Sequence, residues 1–147
     1  MIKKDVWTYR FIILLGFLLF DLTTTLVSIS SPSQEGNALA RTSMMHFGTH
    51  FGLVLFGFFI VTFLVIILWF CKFLFSGKDK WTFFVGIFVV DVSLGWFIAG
   101  VHFVGATSWF CFSSEFLRHC LGTSIYFLTL YLLIANRIRR RAIITAT

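Results

Sequence analysis

The chain has little of anything that breaks a helix or solvates one. Its 147 residues include one proline and six acidic side chains, while 59% are hydrophobic. Pro32 is therefore the only residue without the amide donor that a helix uses. Catalytic signatures are absent too: there is no nucleophile–base pair, glycine-rich phosphate loop, H-E-x-x-H or paired C-x-x-C. The sequence names no reaction, and a non-catalytic protein is the simpler reading. Nor is there an internal repeat, a low-complexity tract or an N-x-[ST] sequon.

What the chain does have is apolar runs too long for a soluble core. They predict spans over about residues 9–30, 49–71, 81–106 and 117–136, each near the roughly 20 residues needed to cross a bilayer. The fold class that follows is all-α, an integral membrane four-helix bundle in one domain. Lys3 and Lys4 before an apolar core resemble a signal peptide, but the continuation from Asp21 offers no small-x-small cleavage site, so an intact first helix is expected.

Basic residues orient the bundle. Lys3, Lys4, Arg10, Lys72, Lys78, Lys80, Arg137, Arg139, Arg140 and Arg141 fall at one end of the predicted spans, and only Arg41 and Arg118 at the other. The positive-inside rule then puts both termini in the cytoplasm of a cell-membrane protein. The net charge of +6 flanks the spans, where it suits anionic lipid and gives no reason to expect nucleic acid. Trp7, Trp69, Trp81 and Trp109 mark the span ends.

The connections carry their own signals. Ser31-Pro32 ends the first helix. Asn37 to His46 is expected to form a short interfacial helix in the first outer loop, capped by Asn37 and closed near Gly48. Ser76 to Asp79 reads as a tight turn. Gly95, Gly100 and Gly105 allow close backbone approach in the third span.

Within this frame polar residues acquire depth. Asp21 follows Arg10 by eleven residues and Asp91 follows Lys80 by eleven, which puts both carboxyls roughly 16 Å inward, near the bilayer middle. Each aspartate there opposes insertion by about 3 kcal/mol unless it is paired, protonated or hydrated. Thr24, Thr25 and Ser28 continue a polar face outward from Asp21. Two readings stand: a clamp between helices, or a ligand site for a cation, proton or polar headgroup formed by Asp21, Thr24, Thr25 and Asp91, approached past Glu35 and Asn37.

All four histidines fall on the outer side. His46 and His50 share a face if their stretch is helical, and His102 lies at matching depth, so a metal ion with Glu35 or Glu115 completing its shell, or a haem between facing histidines, is a third reading. Imidazoles also sit comfortably at an interface with no ligand. Cys111 and Cys120 bracket the second outer loop and are candidates for a disulfide; Cys71 lies at the cytoplasmic end.

The first third resembles an uncharacterised family of small prokaryotic membrane proteins, a domain of unknown function with an aspartate in helix one, a threonine about a turn later and an outer-loop E-x-N-P. The matching residues are Asp21, Thr24, Thr25 and Glu35-Gly36-Asn37, continuing through Ala38-Leu39-Ala40-Arg41. The chain departs from the pattern at Ala38, where the family has proline, and in the second span, where a family lysine gives way to apolar residues. The resemblance implies that Asp21, Thr25, Glu35 and Asn37 act as a set, with the outer loop folded over helix one. Four spans wall such a site thinly, which points to a homo-oligomer; an accessory subunit of a larger membrane complex, its acids satisfied by a partner helix, is the alternative.

Overall fold

The computed structural model describes residues 3–75, 79–111 and 113–146. It is all-α, with no strand among the described residues. Helix α1 runs Lys3–Ser28, α2 Ala38–Phe47 and α3 Thr49–Phe75. Helix α4 (Lys80–Leu94) passes through a six-residue π segment, Gly95–Gly100, into α5 (Val101–Ser108), and α6 is Glu115–Ala146. Four helical stretches are long and apolar enough to cross a membrane: Val6–Ser28, Thr49–Phe75, Trp81–Ser108 and Glu115–Arg139. Only 22% of each apolar window is buried, so most of the bundle's outer surface is hydrocarbon, which suits lipid and not water.

Short-range chemistry sets the connections. Beyond α1, Ser31 and Pro32 start a single 3-10 turn, and Gln34 Oε1 accepts from the amides of Ser30 and Ser31 at 2.8 and 3.2 Å. Asn37 Oδ1 accepts from the amides of Leu39 and Ala40 at 3.0 and 3.3 Å, satisfying donors that the first turn of α2 leaves free. Gly48, at φ 87°, ends α2 in a conformation that disfavours a side chain. The chain then doubles back into α3. There Gly52 has no Cβ to collide with the backbone of Ser43 and Met44, and Ser43 Oγ donates to Gly52 O at 2.8 Å. Ala40, Met44, Ile29 and Leu53 bury together, folding the outer loop over the end of α1. The turn expected over Ser76 to Asp79 lies mostly outside the described residues; Asp79 itself N-caps α4 by accepting from Thr82 N at 2.9 Å.

Helix α1 holds the bundle together, touching α3 on one side and the π segment, α5 and α6 on the other. Leu14, Phe17, Leu18, Leu64, Leu94 and Tyr126 belong to its core. Helix α1 and the third span run parallel, and α3 and α6 run antiparallel to them. The start of α1 and the end of α6 therefore fall at one end and α2 at the other.

Candidate functional site

Two polar rungs connect α1 to the third span. In the first, Arg10 Nε and Nη2 donate to Asp91 Oδ1 and Oδ2 at 2.6 and 2.7 Å, a bidentate pair. Tyr126 OH on α6 adds a donor to Asp91 Oδ1 at 3.1 Å. Arg10 is 2% exposed and its guanidinium lies 4.8 Å from the Trp7 ring centroid. Arg10 therefore turns into the bundle and is no exposed basic anchor, and Asp91 is engaged in a clamp between helices. The donors to Asp91 among the described residues come from α1 and α6 of the same chain.

The second rung is Asp21 with His102, whose Nδ1 lies 2.6 Å from Asp21 Oδ2. Gly105, one turn beyond His102, leaves the space that the Asp21 carboxylate fills: a Cβ there would stand 2.6 Å from Oδ1. Thr25 Oγ1 is 3.5 Å from Asp21 Oδ1 and accepts from Trp109 Nε1 at 3.2 Å, extending the contact toward α2. The two aspartates therefore do not share a level. Arg10 is buried in the bundle against Asp91, so it marks no surface from which the position of Asp21 can be counted. Asp21 belongs with His102, three turns beyond the Arg10–Asp91 level. Between the rungs the bundle is filled by Leu14, Phe17, Leu94 and Ala99.

A cavity of about 370 Å³ opens beside the second rung, between α1, α3 and α5 and under the outer loop. Asp21, Thr25, His102, Glu35, Asn37 and Trp109 line it, and its deeper walls are apolar, from Leu18 to Val61. Local bonds set the rim: Glu35 Oε1 accepts from Asn37 N at 2.8 Å, and Arg41 donates from Nε to Glu35 O at 2.9 Å. Thus Asp21, Thr25, Glu35 and Asn37 come together around one space. Thr24 does not join them. Its hydroxyl returns to its own helix, donating to Phe20 O and Asp21 O at 2.9 and 3.0 Å.

The histidines do not converge. Gly48 separates His46 on α2 from His50 on α3, so the i,i+4 geometry of one helix is lost; His46 Nδ1 lies 2.9 Å from Thr42 O, and both rings are exposed. His102 is engaged with Asp21, and His119 packs on Trp96 with ring centroids 4.2 Å apart. No group of three His, Cys, Asp or Glu side chains is placed to hold a metal ion among the described residues. Cys111 and Cys120 are free thiols, not a disulfide; Cys111 Sγ is hydrogen-bonded to Ser113 Oγ at 3.2 Å. The Ser113 contact, and the charge of Arg118 after it, hold the Cys111 thiol below its ordinary pKa.

Arg118 is likewise no free outer charge. It is buried, and its Nη1 donates to Val104 O and Thr107 Oγ1 at 3.2 and 3.3 Å, at the negative end of the α5 dipole. Sequence reasoning missed Arg10, Tyr126, Gly105 and Trp109 as partners in the rungs. A signal for one of them, Arg10, was available: Arg10 to Asp21 and Asp91 to His102 are both eleven-residue steps, so each rung spans the same separation in sequence. Two parallel helices with equal polar spacing can pair at both levels.

No protein-family model, curated protein or solved structure matches the chain.

Proposed function

We propose that this is a non-catalytic, multi-pass protein of the cell membrane, with both termini in the cytoplasm, that binds a polar headgroup in the cavity beside Asp21 and His102. One observation carries the reading: a space of about 370 Å³ in which a carboxylate–imidazole pair from two spans meets Glu35 and Asn37 from the outer loop. That volume is in the range of small-molecule sites, about 300–1,000 Å³, and is far larger than a bare ion needs. Conduction through the chain finds less support, because the apolar layer around Leu14 and Leu94 separates the two polar levels. Orientation rests on the basic residues that remain at the terminal end once Arg10 is assigned to the clamp.

The reading is tested by native mass spectrometry of protein purified in mild detergent, with Val61→Trp as the comparison. Val61 lines the deeper wall, so an indole there fills the cavity without altering its charge. Wild type is expected to carry a stoichiometric small molecule that the variant lacks while eluting as the same species. A wild type that carries nothing, or a variant that carries the same molecule, removes the reading.

A further inference from the structure

The cavity differs in character from end to end. Near α2 it is bounded by Glu35 and Trp109, and it descends along α1 to Leu18, ten residues or about 15 Å of helix from Ser28. Helix α3 lends it apolar side chains only. The titratable groups facing it are Asp21 from α1, His102 from α5 and Glu35 from the loop; no Lys or Arg lines it among the described residues. Arg41 directs its guanidinium to the carbonyls of Glu35 and Gly36 at 2.9 and 3.5 Å. The lining thus sets two carboxyl groups and one imidazole together with no basic side chain among the described residues to oppose them.

Resting on the headgroup reading above, we infer that the occupant is a cationic amphiphile, with an ammonium head between Asp21 and Glu35 and an alkyl chain lying between α1 and α3. An anionic head would bring its charge against both carboxylates in a space of low dielectric. A small free amine would leave the apolar depth beside Leu18 and Val61 unfilled. The Trp109 ring, fixed by its bond to Thr25, adds an aromatic surface of the kind that attracts ammonium groups.

Thermal unfolding of the full chain in a neutral maltoside detergent tests this with three added probes: dodecyltrimethylammonium, tetramethylammonium and dodecyl phosphate. A saturable rise in midpoint is expected with the long-chain ammonium alone. Glu35→Gln, which keeps an oxygen able to accept from Asn37 N, should raise the half-saturating concentration, measured against the variant's own ligand-free midpoint, about tenfold, as loss of a charge-assisted contact does. Val61→Trp should abolish the rise. Equal stabilisation by dodecyl phosphate overturns the assigned charge, and equal potency of tetramethylammonium overturns the chain. No saturable rise with the long-chain ammonium, or an unchanged half-saturating concentration in Glu35→Gln, overturns the whole inference. If mass spectrometry finds a molecule sensitive to Val61→Trp that bears no amine, the inference falls while the headgroup reading stands; if it finds none, both fall.

Discussion

Arg10 and Asp91 hold each other through two parallel hydrogen bonds, 2.6 and 2.7 Å long, in the core of the bundle. Such a pair contributes little net stability compared with apolar residues of the same shape, but half of it left alone is costly. Arg10→Met should therefore destabilise the protein by about 3–5 kcal/mol by stranding the Asp91 carboxylate. The double variant Arg10→Met/Asp91→Leu should recover most of that loss. Denaturant midpoints followed by helical circular dichroism in detergent would check both; an unchanged midpoint in the single variant would contradict a buried pair.

Tyr126→Phe isolates the third member of this clamp. It removes only the hydroxyl that donates to Asp91 Oδ1 at 3.1 Å, and the ring remains to fill its buried position. The expected cost is about 1 kcal/mol, that of one hydrogen bond. In an Arg10→Met background the loss should be larger, because the hydroxyl is then the remaining donor to the carboxylate among the bonds described here. A double-mutant cycle reads the coupling directly, and simple additivity would show that the three groups do not act together.

The apolar runs made the helices legible, and Asn37 and Gly48 made α2 legible because a cap and a left-handed glycine are local features. Gly48 also broke the His46–His50 pair, so one residue both supported one expectation and undid another. Pairing between helices was harder to read. A basic residue near the start of a span looks the same in sequence whether it faces headgroups or turns inward, and Arg10 turns inward to 2% exposure. The π segment Gly95–Gly100 has a wider turn than an α-helix, and it lies between Asp91 and His102, which both still meet α1, at Arg10 and Asp21. Thr24 and Thr25 both suit a polar stripe, yet a hydroxyl can instead bond back to its own helix, as Thr24 does.

Gly105→Ala tests whether the Asp21–His102 rung depends on backbone approach. The added methyl would overlap the Asp21 carboxylate at 2.6 Å, so the carboxylate must swing into the cavity it lines and away from His102. A cost of about 1–3 kcal/mol is expected from overpacking, together with weaker contact between the carboxylate and His102. Asp21→Ala in the same chain should relieve the clash, so the two substitutions together should cost less than their sum. Strict additivity would place the carboxylate away from Gly105.

The Cys111–Ser113 contact gives a prediction in pH. The Ser113 hydroxyl stabilises the thiolate more than the neutral thiol, its backbone adds to this, and the positive charge of Arg118 acts in the same direction; together these outweigh the slight loss of solvation. The thiolate, which is the reactive form, therefore begins to appear at a lower pH than for an ordinary cysteine. Iodoacetamide labelling at Cys111, followed by peptide mass spectrometry across a pH series, should rise with a midpoint below the ordinary thiol value. Ser113→Ala should move that midpoint upward, since removing the donor raises the thiol pKa. Labelling that needs reductant at both Cys111 and Cys120 would mean that the two thiols are bridged, contrary to the free cysteines described here. A profile unmoved by Ser113→Ala would leave the side-chain hydrogen bond without the effect assigned to it.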